Sequence, residues 1–181
     1  MRLQNTQDGY GLISILLHWL SALAIFGMFG LGLYMVELTY YDAWYKGSLD
    51  LHKSAGLTLA FVILLRFVWR VINTKPKDLS DKAIENLAAH GAHMALYLVM
   101  AALFFSGYLI STAEGHGIEV FGLFTVPATL TGDNQEDIAG EIHEWLAWGL
   151  MALVSVHALA ALKHHFINRD ATLKRMVKPG E

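Results

Sequence analysis

Histidine is the residue of this chain with the most chemistry to offer: there are nine, alongside seven methionines and no cysteine. An imidazole ligates a metal through one ring nitrogen while a neighbour holds the other N–H. The missing thiols exclude disulfides, thiolate metal sites, iron–sulfur clusters and covalent haem attachment, which needs Cys-x-x-Cys-His. His143 and His157 stand fourteen residues apart. On a helix that step returns to within about 40° of the same face and rises about 21 Å. The same step from His18 reaches Gly32, from His52 reaches Arg66, and from His93 reaches Gly107. Four helices would each present one position to each of two layers. One layer holds His52, His143, Gly32 and Gly107. Two imidazoles facing two glycines frame a flat macrocycle, because glycine leaves room where a side chain would strike it. The other layer holds His18, His157, His93 and Arg66, so two of three histidines can ligate a second group. A cation at that depth needs a partner, and a carboxylate on the bound group would supply one. Gly56, one turn after His52, gives further room for a ring.

The elements that must carry these residues are membrane helices. Hydrophobic residues make up 55% of the 181 and charged ones 16%, against about 25% charged in a typical soluble domain. Apolar stretches at 12–36, 51–71, 88–112 and 142–166 each supply roughly the 20 residues a spanning helix needs. The alternating segments of a membrane β-barrel are absent. The first stretch is too long for a cleaved signal peptide and no small-residue cleavage site follows it. No linker or low-complexity tract interrupts the chain, so the expectation is an all-α integral membrane four-helix bundle forming a single domain, 1–181. The loop at 113–140 carries an apolar piece, Val120 to Phe124, expected as a packed loop, as a segment lying on the membrane surface, or as a cap on the bundle.

Charge orients the bundle. The N-terminal tail, the second loop and the C-terminal tail hold Arg2, Arg66, Arg70, Lys75, Lys77, Lys82, Lys163, Arg169, Lys174, Arg175 and Lys178, and the opposite side only Lys46 and Lys53. The positive-inside rule then places both termini in the cytoplasm. The outer side is acidic, with Glu37, Asp42, Asp50, Glu114, Glu119, Asp133, Glu136, Asp137, Glu141 and Glu144. Trp19, Trp44, Trp69, Trp145, Tyr40, Tyr41 and Tyr45 fall near span ends, as an interfacial belt does.

Haem fits these layers better than zinc. Zinc takes three or four ligands in a tetrahedron, whereas each layer offers two good histidines. Two axial histidines give a low-spin haem whose natural work is one-electron transfer. A single intramembrane histidine is equally well explained as an interhelical hydrogen-bonding group. One spacing repeated on four helices is not. Gly32 and Gly107 also read as packing glycines, and Arg66 and Arg70 as topology signals. Depth alone selects His52 and His143 in the outer layer but leaves His18 and His93 as alternatives beside His157 in the inner one.

The chain resembles the bacterial cytochrome b561 family of small two-haem membrane cytochromes. The likeness rests on Ile15-Leu16-Leu17-His18-Trp19-Leu20, His52-Lys53-Ser54-Ala55-Gly56, Ala89-His90-Gly91-Ala92-His93, Gly140-Glu141-Ile142-His143-Glu144, the run from His157 to Phe166, and the tail from Asp170 to Met176. The resemblance implies two non-covalent b haems, the outer on His52 and His143, the inner on His18 and His157. His93 then becomes a neighbour of the inner haem, on the side of a propionate. It also implies a bacterial inner-membrane location and a ubiquinone site at Lys163, His164 and His165, which otherwise read as boundary residues snorkelling to the interface.

The resulting expectation is a multi-pass electron carrier between a periplasmic redox partner and the ubiquinone pool, surrounded by lipid and with no nucleic-acid partner. Some members of the family resemble superoxide oxidases. An anionic substrate is favoured by a positive funnel, and here the outer side is acidic, so a cationic or protein partner is the expectation and superoxide is disfavoured. Two other readings stay open: a cytochrome b anchor subunit of a larger dehydrogenase or hydrogenase, and a metal-ion transporter that uses the histidines as relay sites.

Overall fold

The computed structural model describes residues 2–179. Four long helices dominate: α1 Leu12–Val36, α2 Tyr45–Ile72, α3 Ala83–Thr112 and α4 Gln135–Lys163. A short hairpin, β1 Ile118–Val120 and β2 Phe124–Val126, lies between α3 and α4, and a one-turn helix, α5 Thr172–Arg175, follows α4. Each long helix carries an apolar window long enough to cross a membrane, and only 6–11% of that window is buried by protein. Leu23, Phe61, Leu98 and Leu159 are each 60% or more exposed. Water would not tolerate that much uncovered hydrocarbon, whereas lipid is the matching solvent. The expected membrane-helix architecture is therefore present.

The buried polar residues of the helices are all small hydroxyls. Ser21, Ser48, Ser54, Ser106 and Thr112 are all buried. Several return their hydroxyl to their own helix: Ser21 donates to the Leu17 carbonyl at 2.6 Å and Thr112 to the Tyr108 carbonyl at 2.8 Å. A small residue with its hydroxyl satisfied in this way lets two backbones come close without stranding a polar atom.

The chain resolves into two compact units, each containing part of every long helix. The first takes in the chain up to Ser21, Val62–Leu98 and the chain from Gly149 onward. Its residues include eleven Lys or Arg and six Asp or Glu. Asn5 caps α1, accepting from the Gly11 N–H at 2.9 Å and the Ser14 hydroxyl at 2.7 Å. The same residue holds the end of α2, its backbone N–H reaching the Asn73 side-chain oxygen at 3.1 Å. Gly11 is obligatory here, because a Cβ would lie 2.3 Å from the Leu3 carbonyl oxygen. At the other terminus the Trp19 indole N–H donates to the Met176 carbonyl at 2.6 Å, and Arg175 donates to the Lys77 carbonyl at 2.8 Å.

The second unit takes in Ala22–Phe61 and Val99–Trp148. It holds ten Asp or Glu against Lys46 and Lys53, and all ten acids are exposed. The piece expected as a packed loop or a cap is a strand pair, with Val120 facing Phe124 across an antiparallel ladder. Its turn places Phe121 and Gly122 at φ 48° and 71°. Ser54 on α2 fastens it: the hydroxyl donates to the Glu119 carbonyl at 3.2 Å and accepts the Phe121 N–H at 3.1 Å. Ile118 and Val120 are buried beneath the hairpin, while Phe121, Leu123 and Phe124 stay exposed.

Candidate functional site

In the second unit α2 and α4 bring His52 and His143 together, their ring centroids 6.3 Å apart and their planes inclined by 69° in an edge-on arrangement. The protonation of His143 is fixed by its surroundings. Its Nδ1 lies 3.1 Å from the Leu103 carbonyl oxygen and 3.0 Å from the Ser106 hydroxyl. The Ser106 hydroxyl itself donates to the same Leu103 carbonyl at 3.0 Å. A carbonyl only accepts, so Nδ1 carries the ring proton and Nε2 keeps its lone pair. This is the carbonyl–imidazole arrangement that orients a metal ligand and raises its basicity. His52 differs, because its Nδ1 is buried and meets no hydrogen-bond partner within the protein.

The two glycines of this layer lie against these rings. A Cβ on Gly107 would sit 3.1 Å from His143 Cε1 and 3.4 Å from its Nδ1, and one on Gly32 would sit 3.5 Å from His52 Cε1. Gly107 is the tighter site, since a methyl there meets a ring already held by Leu103 and Ser106. Gly56 faces the Met28 methyl at 3.5 Å rather than a histidine.

In the first unit α1 and α4 bring His18 and His157 to a centroid separation of 6.2 Å at 57°. His93 on α3 lies closer to His157, at 5.3 Å and 73°. Its Nδ1–H donates back to the Ala89 carbonyl at 2.7 Å, leaving Nε2 free. Arg66 on α2 completes the group, its guanidinium nitrogen 2.7 Å from His18 Nδ1. Arginine only donates, so in this arrangement His18 accepts at Nδ1. The Arg66 guanidinium carbon also lies 5.9 Å from the centre of the Tyr97 ring, a cation–π contact. The Tyr97 hydroxyl is buried and has no partner within the protein.

These residues fit a flat, axially ligated group. Each unit offers two imidazoles with ring centres just over 6 Å apart. Metal–imidazole bonds of about 2 Å on opposite sides of one ion put ring centres roughly 6 Å apart. In the second unit small residues clear the space beside the rings. Among the described residues no three His, Asp or Glu side chains converge as a zinc site requires.

The end of α4 is locally unusual. The helix widens into a π-turn over His164–Asn168 and closes on Arg169 in the left-handed region at φ 57°. Single π-turns inside helices recur at functional sites. His164 Nδ1 meets the Asp170 carboxylate at 2.5 Å. Burial alone would raise the Asp170 pKa, but hydrogen bonds from Thr172 and His164 outweigh it and hold the carboxyl below the usual range. His165 Nδ1 is buried with no partner in the protein, and its ring meets Phe166 edge-on at 4.8 Å. Lys163 pairs with Glu85 on α3 at 3.1 Å. The three residues grouped by sequence as a quinone site thus have different surroundings: one is ion-paired, one is held by Asp170, and one is enclosed.

Sequence reasoning missed Ser106, Tyr97 and Asp170. The first two had a faint signal. Ser106 precedes a layer glycine, and Tyr97 lies one turn after His93. Asp170 opens the tail that carries part of the family likeness, but its pairing with His164 had no signal, because only the left-handed turn at Arg169 brings it back.

Over 179 residues the chain is 51% identical to cytochrome b561 homolog 2 of Escherichia coli (strain K12), covering 98% of this chain and 95% of that one. It is 30% identical to cytochrome b561 homolog 1 of the same organism, covering 90% and 93%. A protein of Yersinia pestis named "Probable superoxide oxidase CybB" is 29% identical over 171 residues, covering 93% and 95%. The family described as Prokaryotic cytochrome b561 matches residues 9–179. With four membrane-length helices, paired histidines and a match over nearly its whole length, this chain belongs to the prokaryotic cytochrome b561 family.

Proposed function

We propose that this membrane electron carrier is a di-haem b protein of the bacterial inner membrane, a single domain over 1–181 with both termini cytoplasmic. It passes electrons between a periplasmic redox partner and the ubiquinone pool. The single observation that carries the reading is the pair of matched imidazole separations, 6.3 Å for His52 with His143 and 6.2 Å for His18 with His157. Family membership already implies b-type haem, and this geometry supports two. It also favours His18 over His93 as the partner of His157, since 5.3 Å is short for two rings on one metal. When bound, such a group supplies reversible one-electron transfer.

The protein residues have separate tasks. His143 presents Nε2 because Leu103 and Ser106 hold its Nδ1–H. Gly32 and Gly107 keep side chains out of the outer layer. If His18 gives Nε2 to iron, its proton moves to Nδ1, and Arg66 must turn to an acceptor. A propionate of the bound group would meet that need, with His93 as a further neighbour of the same group. The test is pyridine haemochrome analysis of the pure protein, with about two haems per chain expected for two bis-histidine sites. A ratio near zero removes the reading, and a ratio near one removes one site.

At the cytoplasmic end we place the quinone against His164 and His165, with Lys163 at the rim. Asp170 fixes the proton of His164 on Nδ1, leaving Nε2 to bond a quinone oxygen. His164→Ala is expected to slow exchange with a ubiquinone analogue about tenfold or more, as loss of a positioned proton-transfer group does. Both haem spectra should stay unchanged. Unchanged exchange kinetics in stopped flow would remove this site.

The resemblance to a protein named as a superoxide oxidase makes superoxide the competing electron donor. The ten exposed carboxylates of the second unit oppose an anion and favour a cationic partner, an attraction that salt screens. An anchor-subunit role would require a tightly bound partner, visible on co-purification. The transporter reading would give no reduced-minus-oxidised haem spectrum.

A further inference from the structure

The two histidine pairs differ most in the charge beside them. Arg66 is held within the first unit by two contacts: 2.7 Å to His18 Nδ1 and a cation–π contact with Tyr97. Among the described residues no carboxylate lies within salt-bridge distance of it. Guanidinium stays protonated at any working pH, so this layer carries a full positive charge against a candidate ligand. Among the described residues no lysine or arginine hydrogen-bonds to His52 or His143. His143 donates its Nδ1–H to a carbonyl, which makes the imidazole a stronger electron donor. The unit around it holds ten acids and two lysines.

An added electron is stabilised by a nearby cation and destabilised by electron-rich ligands and surrounding carboxylates. We infer that Arg66, positioned by Tyr97, makes the haem on His18 and His157 the higher-potential one of the pair. An electron shared between the two sites would then reside mainly at the one beside Arg66. Arg66 is a positioning residue for charge. It works whether its donors face His18 or a propionate, since either location leaves the cation beside the same group. The inference rests on the two-haem reading.

The test is spectroelectrochemical titration of the full-length protein in lipid nanodiscs. His18→Ala leaves the outer haem alone and His52→Ala leaves the inner one alone, so each potential is read in isolation. The expected order is inner above outer. In the otherwise wild-type chain, Arg66→Gln should lower the inner potential so that the outer-to-inner electron-transfer equilibrium falls at least tenfold, about 59 mV for a one-electron couple. The outer potential should not move. Arg66→Lys keeps the charge and should recover most of the difference, which a packing role for arginine would not predict. Tyr97→Phe keeps the ring contact and should shift the potential far less than Arg66→Gln. The inference is overturned if the inner haem has the lower potential, or if Arg66→Gln and Arg66→Lys lower it equally. Haem content is measured on the same samples. A wild-type ratio near zero would instead overturn the two-haem reading, a separate failure from an unshifted potential in a protein with two haems.

Discussion

Replacing His143 by alanine should halve the haem content, from about two to about one per chain, because each site depends on both axial imidazoles. His52→Ala should do the same, and in both variants the surviving signal should be that of the inner haem. The loss is large because His143 is the better prepared ligand of the pair. Leu103 and Ser106 fix its tautomer, and Gly107 leaves 3.1 Å between a hypothetical methyl and its ring. Losing such outer partners alone typically costs 10- to 100-fold in metal affinity. Losing the ligand costs more. Pyridine haemochrome ratios and reduced-minus-oxidised spectra on matched samples provide the check. Two haems retained in His143→Ala would show that the 6.3 Å pairing is ordinary packing.

His18→Ala and His157→Ala should each remove the other haem, whereas His93→Ala should keep it with at most a shifted spectrum. This comparison has a large expected effect and a sharp alternative. All three histidines share one unit, and His93 is nearer to His157 than His18 is, at 5.3 against 6.2 Å. Proximity alone would select His93. Coordination geometry selects the longer separation, since the metal must fit between the rings. Loss of the haem in His93→Ala with retention in His18→Ala would overturn both the separation criterion and the assignment of His18 that the family resemblance implies.

The helices were legible in the sequence because lipid imposes a simple code. The first span, expected at 12–36, is α1 Leu12–Val36. The other three helices begin earlier than their apolar stretches. α2 starts at Tyr45 rather than 51, α3 at Ala83 rather than 88, and α4 at Gln135 rather than 142. Hydropathy ends where charge begins, at Lys46 and Asp50 or Glu136 and Asp137, but helical hydrogen bonding does not. The Ser48 N–H already reaches the Trp44 carbonyl at 2.9 Å. The layers were legible because a step of fourteen residues is a property of one helix. The same step grouped Arg66 with His18, and the two are in contact. The contacts of Arg66 with His18 and Tyr97 were not legible, because they depend on how neighbouring helices rotate. The hairpin was hidden as well: three-residue strands carry almost no period, and Ser54, which holds them, is far away in sequence.

Each histidine pair joins an early helix to the last one. His52 and His143 are 91 residues apart, and His18 and His157 are 139 apart. At about 5–20 residues per second on the ribosome, the first histidine of a pair waits on the order of 5–30 seconds for its partner to be made. In that interval any haem already held by the first histidine would have one axial face open to oxygen and to stray ligands. Both pairs are completed by α4, so the two sites close in quick succession once translation reaches it. Completion of either proposed site is therefore set by emergence of the fourth helix, which carries both His143 and His157.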